Sequence, residues 1–398
     1  MSVTLGQTPS MAPSAEQFRE LFLLDPEVTY LNHGSFGALP RPVFEAQNEL
    51  RRELELEPVL FLVRNLPARL ARVRQSVARF VRAASGDDIG LVPNVTTGLN
   101  AVARSIGLSR GDEILVTDHE YGAKRILWDE IASLAGAKIV VAPLPRPAQS
   151  EDDLFDAVAA RFTPRTRVLF VSHITSLSAL VLPVARLSAL AREHGVLSIV
   201  DGAHGPGQVD LDLPSIGCDI YAGNLHKWVC APRGSAFVWA TPEAQSWLRG
   251  PVVSWDWSWS GPGAFQGRFG WAGTTDPTAL LSVPAAFRFQ REHAWRQVRG
   301  RCRLLALATV EALETEVGAV PLAAAGLGAP QMSSFSIPCP NPDDVRRYLW
   351  QRHRIEIPGE KFYDLSLLRL SVQAYTREVD CERLVEALRK AIRRRRAR

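Results

Sequence analysis

Residues 198–239, SIVDGAHGPGQVDLDLPSIGCDIYAGNLHKWVCAPRGSAFVW, decide the fold of this chain. Within them an apolar run ends at Asp201, a Gly-Ala-His turn follows, and a second apolar run, residues 220–222, leads to Lys227. Short apolar runs bounded by turn residues are typical of buried β-strands. An acidic side chain where such a strand ends is expected at the edge where open α/β sheets bind their ligands.

The alternation of strand and helix continues on both sides of this stretch. Apolar runs predict strands at residues 89–92, 113–117, 138–142, 167–171, 197–200, 220–222 and 235–238. Helical patterns lie between most of them, at residues 98–106, 121–134, 151–161 and 184–193. Strands that alternate with crossover helices predict an α/β fold with a buried, mainly parallel sheet of seven strands and helices on both faces.

The length of the chain predicts more than one domain. We expect a large domain over residues 40–285 that contains the sheet, and a small C-terminal α+β domain over residues 286–398. Residues 1–39 are expected to form an N-terminal segment that packs on the small domain. One long helix is predicted at residues 285–313. Residues 252–273, rich in tryptophan, interrupt the rhythm and are either a long loop with buried aromatic side chains or part of an interface.

Composition and charge exclude several classes of protein. The chain has 398 residues, 46% hydrophobic and 22% charged, and is therefore neither disordered nor fibrous. A net charge of +4 gives no reason to expect nucleic acid or lipid as a partner. The basic run at 393–396 is interpreted as a solvated helix end, with nucleic-acid binding as the weaker alternative. No apolar run is long enough to span a bilayer.

The cysteines indicate a reducing compartment. There are five, widely spaced and without a Cys-x-x-Cys pair, which predicts neither a disulfide framework nor a metal site. Residues 1–17, MSVTLGQTPSMAPSAEQ, lack the basic and apolar segments of a signal peptide and are interpreted as a frayed leader. We expect a cytoplasmic protein.

Asp201 and Lys227 are predicted to lie at one edge of the sheet, where neighbouring strands end. A carboxylate facing an amine is what pyridoxal phosphate chemistry requires, because the lysine forms a Schiff base with the aldehyde and the carboxylate keeps the pyridine nitrogen protonated. Taken singly, Asp201 also fits a helix cap and Lys227 a surface charge. The neighbouring motifs favour the cofactor.

Those motifs resemble the signature of a known family. VDGAH and AGNLHKW are similar to the signature of class V aminotransferases, pyridoxal-phosphate enzymes of fold type I, and most similar to the isopenicillin N epimerase family. The resemblance covers nearly the whole chain, from LNHGSFGALP through NVTTGLNAVA, DHEYGAKRILW and VSHITS to GTTDPTALL. It implies a fold type I transferase architecture, pyridoxal 5'-phosphate as cofactor and an amino-acid-type substrate.

Thr96 and Thr97 are candidate ligands of the cofactor phosphate. Together with Gly98 they follow a predicted strand and open a helix, so hydroxyl and free amide groups are available at the positive helix end. The alternative is a plain threonine N-cap.

The resemblance implies further contacts to the cofactor. They are Tyr121 stacked on the pyridine ring, Ser176 and His204 at the ring hydroxyl, Asn224 and His226 at the phosphate, and Thr274 at the phosphate of the partner subunit. Relatives commonly have asparagine where Ser176 stands and serine where Asn224 stands. Tyr121 alternatively belongs to the core or its rim. The match at Thr274 implies a homodimer with a shared active site.

Two residues are candidates for binding the substrate. Arg369, in LLRLSVQAY, matches the arginine that pairs with the α-carboxylate, with a structural ion pair as the alternative. His33, in LNHGSFG, lies near the expected substrate side, and a buried structural histidine fits it equally well.

The resemblance implies chemistry at the α-carbon of an amino acid. In the epimerase reading, Lys227 removes the α-proton and Tyr121 or a histidine returns one on the other face. The alternative is a C–S (β-elimination) lyase or another class V reaction, and a non-enzymatic binding protein is disfavoured because the reactive residues are all present. A desulfurase that forms a persulfide on the protein is also disfavoured, because residues 356–369, EIPGEKFYDLSLLR, contain no cysteine.

Overall fold

The computed structural model describes residues 12–258, 261, 263–324 and 326–396. Its strands are β1 Thr29–Tyr30, β2 Ile89–Val92, β3 Glu113–Thr117, β4 Lys138–Ala142, β5 Thr166–Ser172, β6 Leu197–Gly202, β7 Ile220–Asn224, β8 Ala236–Ala240, β9 Val320–Pro321, β10 Met332–Ser336, β11 Ile355–Glu356, β12 Gly359–Phe362 and β13 Leu365–Ser371.

The α-helices are α1 Ala15–Leu21, α2 His33–Phe36, α3 Arg41–Leu56, α4 Leu66–Val81, α5 Val95–Ser105, α6 Gly122–Ala135, α7 Glu151–Ala159, α8 Val184–Glu193, α9 Leu213–Ile216, α10 Pro242–Trp247, α11 Ala264–Arg268, α12 Thr278–Leu281, α13 Val283–Glu292, α14 Trp295–Val317, α15 Pro342–His353 and α16 Glu378–Arg396. A π-helix, Leu60–Asn65, precedes α4, and a 3-10 turn, Gly86–Asp88, precedes β2.

Seven strands form the central sheet, in the order β2-β8-β7-β6-β5-β3-β4. Strand β8 is antiparallel to both of its neighbours, and the other pairs are parallel. The predicted α/β fold with a seven-stranded, mainly parallel sheet is therefore confirmed. Strands β5 and β6 pair Ser172 with Asp201, and β7 ends beside them at Asn224, so three chain segments reach one edge of the sheet.

The sheet separates two apolar layers. Successive strand residues point to opposite faces, and so Ile114 and Phe170 pack in the layer with α5 and α6. Leu115 and Leu169 pack in the other layer, which extends to α13, α14 and the C-terminal part of the chain. Because both faces are covered, β2, β3, β7 and β8 are buried throughout, as near-continuous apolar runs predict, whereas the edge strand β4 is mostly half-buried.

A second, antiparallel sheet lies in the C-terminal part, in the order β12-β13-β10-β9. It is accompanied by α15 and α16, which agrees with the predicted α+β character. The N-terminal segment joins this part of the chain, because β1 pairs in parallel with β11 and the amide of Leu31 donates to the Glu356 carbonyl. The domain boundaries after residues 39 and 285 stay predictions.

The predicted long helix at 285–313 is wrong as a single element. It is two helices, α13 and α14, because Ala294 adopts a left-handed conformation at φ 48° that no α-helix continues through. The His293 ring also bonds back to the Phe289 carbonyl at 2.7 Å and ends the first helix. Neither glycine nor proline marks the break, so the sequence offered no signal for it.

In its described residues, the predicted irregular region at 252–273 has one short helix, α11. Phe265 in that helix and Phe269 at its C-cap are buried. Trp255 is 82% exposed. Trp259 and the predicted leader, up to residue 11, lie outside the described residues. Among the described helices, none is long and apolar enough to cross a bilayer, and the same residues contain no acidic, histidine and cysteine cluster suited to a metal ion.

Candidate active site

A cleft of about 780 Å³ opens at the carboxyl edge of the central sheet and is bounded on one side by the hairpin β12–β13. Most of the predicted site residues line it. They are Thr96, Tyr121, Ser176, Asp201, His204, Asn224, His226, Lys227 and Arg369. Their roles stay predictions, but the structure brings them to one place.

Two predicted phosphate ligands do not line this cleft. Thr97 turns back to its own N-cap, with its amide and hydroxyl both donating to Asn94 Oδ1 at 2.8 and 3.2 Å. Its side chain therefore supports the helix start and does not face the cleft. Thr274 lies on the loop before α12 and is exposed on this chain.

His33 is not where the substrate-binding prediction put it. The side chain is fully buried, and it bonds to the Tyr375 hydroxyl at 2.9 Å and to the Lys227 carbonyl at 3.0 Å. The Ala38 amide donates to Nδ1, so Nε2 carries the proton and donates to the Lys227 carbonyl. Burial lowers the pKa of His33 to about 4. His33 therefore holds the backbone behind the lysine and faces away from the cleft.

The Lys227 amine lies on a chain of hydrogen bonds. Its Nζ is 3.1 Å from His204 Nε2, and the Trp228 indole N–H donates to His204 Nδ1 at 3.2 Å. An indole nitrogen only donates, so Nδ1 carries no proton and the neutral ring bears its hydrogen on Nε2. That N–H points at the lysine, which can accept it only as an uncharged amine. Trp228 thus fixes the tautomer of His204 in favour of neutral Lys227.

Electrostatics act in the same direction. Burial lowers the pKa of Lys227 to about 7 and the Arg369 guanidinium contributes to the lowering, whereas the Asp201 carboxylate opposes it. Burial, with the neighbouring Lys227 charge as a smaller cause, also holds the pKa of His204 well below its usual value. Near neutral pH, a large share of Lys227 is therefore an uncharged amine, the form that acts as nucleophile or base.

A tight turn positions His204 and Asp201. A Cβ on Gly202 would lie 2.1 Å from the Tyr221 ring, so only glycine allows the turn to pack this closely on β7. Asp201, buried at the end of β6, accepts the Ala203 amide at 2.9 Å and lines the cleft floor.

The start of α5 lies beside the cleft and offers the amide and hydroxyl of Thr96 as donors. Asn94 caps the helix, and Asn224 Oδ1 accepts the Val95 amide at 3.0 Å, which ties α5 to the end of β7. Thr96 is exposed at the cleft surface. His226 lies nearby, and its Nδ1 is 3.4 Å from the Ser235 carbonyl. Helix starts of this kind bind anions.

Arg369 is a buried cation without a carboxylate partner among the described residues. Its guanidinium donates to the Ser35 hydroxyl at 3.0 Å and to the Ser176 carbonyl, and its Nε has no partner there. Burial lowers the pKa of Arg369 to about 10, so it stays charged at neutral pH. A buried, charged guanidinium that lines a cleft is suited to a carboxylate ligand. The alternative of a structural ion pair finds no partner in the described chain.

The cleft lining also includes residues that were not predicted, among them His119, Glu120 and Lys124. Glu120 is buried and accepts hydrogen bonds from Thr117 and Ser172; burial raises its pKa to about 7 and the nearby Asp201 charge adds to this. The sequence could have predicted Lys124 as a cleft residue, because it follows the predicted site residue Tyr121 by one helical turn and such residues share a helix face.

These residues fit pyridoxal phosphate. An uncharged lysine amine and a buried carboxylate lie at the cleft floor, a helix start offers donors for a phosphate, and Tyr121 stands at the cleft with its ring 51% exposed. The orphaned Nε of buried Arg369 is consistent with a carboxylate ligand beside the same cofactor. Each group that the cofactor needs has a matching protein group.

Comparison with known proteins agrees with this fit. The aminotransferase class V family profile matches residues 61–384. Isopenicillin N epimerase from Amycolatopsis lactamdurans is 40% identical over 93% of this chain and 97% of its own, and the enzyme of that name from Streptomyces clavuligerus is 37% identical over 94% and 97%. A probable chloroplastic L-cysteine desulfhydrase from Arabidopsis thaliana is 27% identical over 97% of this chain and 87% of its own.

Solved structures support the fold. The cystine C–S lyase C-DES, in complex with its product cysteine persulfide, superposes with a TM-score of 0.81 at 24% identity, over 94% of this chain and 99% of its own. The Escherichia coli cysteine desulfurase CsdA gives 0.79 at 24% identity, over 96% and 98%. The chain, as its sequence predicted, belongs to the class V aminotransferase family of pyridoxal-phosphate-dependent, fold type I enzymes.

Proposed function

We propose that this protein inverts the α-carbon of an amino-acid-type substrate, as an isopenicillin N epimerase-like enzyme. The observation that carries the proposal is the Lys227 amine, held uncharged by the His204 N–H at the floor of a cleft that also contains Arg369. When bound, pyridoxal phosphate supplies an electron sink that acidifies the α-hydrogen of an attached amino acid. The similarity to two isopenicillin N epimerases supports the same reaction.

The residues of this chain divide the work of moving the proton. Arg369, oriented by Ser35 and Ser176, binds the α-carboxylate and so fixes the α-carbon. Lys227 takes the α-proton, because its lowered pKa leaves it uncharged near neutral pH. Asp201 holds a proton at the pyridine nitrogen. Tyr121, at the cleft surface, is the proposed donor of the returning proton on the opposite face.

We also propose a homodimer. Thr274 is exposed on its own chain and does not line its own cleft, as expected of a residue that serves the partner subunit. Exposed apolar side chains on α3, the following link and the π-helix, among them Leu56, Val59 and Val63, support an interface. Cytoplasmic location stays a prediction.

The experiment is α-proton exchange in heavy water. Holoenzyme is incubated with isopenicillin N and with panels of L- and D-amino acids, and deuterium at the α-carbon is followed by NMR and configuration by chiral chromatography. Deuterium incorporation with inversion is expected for at least one substrate. Lys227→Ala protein is the control and should give none. A holoenzyme that neither exchanges nor inverts any of them contradicts the proposal.

The second candidate is a C–S lyase, favoured by the relatives named L-cysteine desulfhydrase. L-Cysteine would then yield pyruvate, ammonia and sulfide without inversion. In the described part of the chain no cysteine lines the cleft, and four of the five thiols are buried. A persulfide on the protein is therefore not expected, and intact-protein mass spectrometry after incubation with L-cysteine checks this.

A further inference from the structure

The side chain of Lys124 is a second amine in the cleft, and the mechanism above does not use it. It lies on α6, one turn after Tyr121, and is only 1% exposed. Its Nζ donates to Thr96 Oγ1 at 2.9 Å. Within the described residues it forms no ion pair, and the Asp201 charge reaches it only at longer range. The Nζ also lies 5.9 Å from the centroid of the Tyr121 ring. An ammonium group has three hydrogens to donate, and only one of them is used in a hydrogen bond within the described chain.

This position is electrostatically unfavourable without an anion. Burial lowers the pKa of Lys124, which shows that the surrounding protein disfavours its charge. The partner, Thr96, is the second residue of α5, and the start of a helix carries partial positive charge. The Lys124 ammonium therefore lies beside the positive end of a helix and is repelled by it, although its hydrogen bond to the Thr96 hydroxyl oxygen is itself attractive. Bound negative charge between them would turn this repulsion into attraction.

The start of α5 has a donor free for that anion. Of the amides in its first turn, that of Val95 donates to Asn224 and that of Thr97 donates to Asn94. The Thr96 amide makes no hydrogen bond within the described chain. An open amide, a hydroxyl and a buried ammonium thus converge on one point at the cleft surface.

His226, the only predicted phosphate ligand whose side chain can carry a positive charge, does not supply that charge. His226 Nδ1 must donate to the Ser235 carbonyl, which leaves Nε2 without a hydrogen in the neutral ring. Burial, with Lys227 and Arg233 nearby, lowers the pKa of His226 to about 4, so the ring is neutral at working pH. Arg233 also lines the cleft, but it is exposed to solvent and donates to the Gly37 carbonyl at 3.5 Å. A buried cation for the phosphate therefore has to be another residue.

We propose that Lys124 is that cation and binds the cofactor phosphate together with the Thr96 amide and hydroxyl. The assignment rests on the proposed function, since it presumes that the cleft holds pyridoxal phosphate. Lysine acts on phosphate as a point charge, and this one is already placed and desolvated. It would make the phosphate the main anchor of the cofactor before the covalent bond forms.

The test compares pyridoxal phosphate with pyridoxal, which lacks only the phosphate. Dissociation constants for both are measured on cofactor-free protein by tryptophan fluorescence, with Lys124→Met, Lys124→Arg and the surface control Lys138→Met. We expect Lys124→Met to weaken pyridoxal phosphate binding about tenfold to a hundredfold and to leave pyridoxal within about twofold. Lys124→Arg should retain most of the preference for the phosphorylated form, and Lys138→Met all of it.

The outcomes separate this inference from the proposed function. If Lys124→Met weakens binding of both ligands equally, or weakens binding of neither, Lys124 is not a phosphate ligand, and the proposed function of the protein is unaffected. If Lys124→Met does not fold, loss of the preference in the folded Lys124→Arg protein overturns the assignment, and its retention supports it. If the unmodified protein binds neither ligand, the proposed function fails, and the phosphate assignment with it. As a second readout, the ³¹P resonance of the holoenzyme should titrate at higher pH in Lys124→Met.

Discussion

At the scale of single residues, the state of Lys227 decides the chemistry. Burial lowers its pKa to about 7, so the amine is charged below that pH and gains reactivity as pH rises through it. We predict that covalent attachment of pyridoxal to cofactor-free protein becomes faster with a midpoint near pH 7. Borohydride reduction and peptide mass spectrometry should place the label on Lys227, and Lys227→Ala should lose it. A label on Lys124, the other amine of the cleft, would refute the assignment.

Trp228 permits a sharper test of the same amine. In Trp228→Phe the indole N–H is lost, and His204 becomes free to carry its proton on Nδ1. Nε2 then accepts a hydrogen bond from charged Lys227, which stabilises the ammonium form. We predict that the pH midpoint of pyridoxal attachment rises by about one unit. Trp239→Phe is the matched control, because that buried indole has no described hydrogen-bond partner; equal midpoints in both variants would contradict the tautomer argument.

At the scale of secondary-structure elements, the strands could be predicted from the sequence, whereas the exact ends of some helices could not. Apolar runs such as Glu113–Thr117 recur unchanged as strands, since both faces of the sheet are covered. The break at Ala294 could not be foreseen, because left-handed backbone at alanine is imposed by packing and leaves no mark in the sequence. Thr97 does not line the cleft, because its amide and hydroxyl donate to Asn94, the N-cap of α5; its role as a phosphate ligand stays a prediction.

The same limit applies to the candidate site. Asp201 and Lys227 were found from strand ends, which place residues along one edge of the central sheet, and Arg369, inside β13 of the second sheet, was found from a family resemblance. The sequence could not decide between a substrate-binding and a structural role for His33, because its side chain contacts Tyr375 and the Lys227 backbone, both far away in sequence. Long-range hydrogen bonds of this kind are visible only once the chain is folded.

The turn after α2 packs directly on the lysine segment. Gly37 has φ 70°, and a Cβ there would lie 1.9 Å from the His226 carbonyl oxygen. We predict that Gly37→Ala lowers the free energy of unfolding by at least about 2 kcal/mol, measured by urea denaturation. Gly300→Ala, in the exposed middle of α14 with open space around it, should instead stabilise by up to about 1 kcal/mol. Similar effects in the two variants would contradict the close-packing argument.

At the scale of the whole molecule, the proposed homodimer predicts two separable effects. Val63→Glu places a charge on the exposed apolar surface of the π-helix and should shift light scattering toward monomer, with loss of activity. Thr274→Ala should leave the dimer intact and weaken binding of pyridoxal phosphate about tenfold, since one phosphate hydrogen bond is lost. A fully active monomer would exclude a shared site.

Contacts between the N-terminal segment and the backbone around Lys227 set a lower limit on the length of chain that can be active. His33 donates to the Lys227 carbonyl and Gly37 seats against His226, so residues far ahead of the sheet complete the floor beneath the reactive amine. A truncated protein that begins at Pro40 would keep every strand of the central sheet and yet leave that floor without its support. A shortened, permuted or fused version of this protein must therefore keep residues 33–37 joined to the catalytic unit.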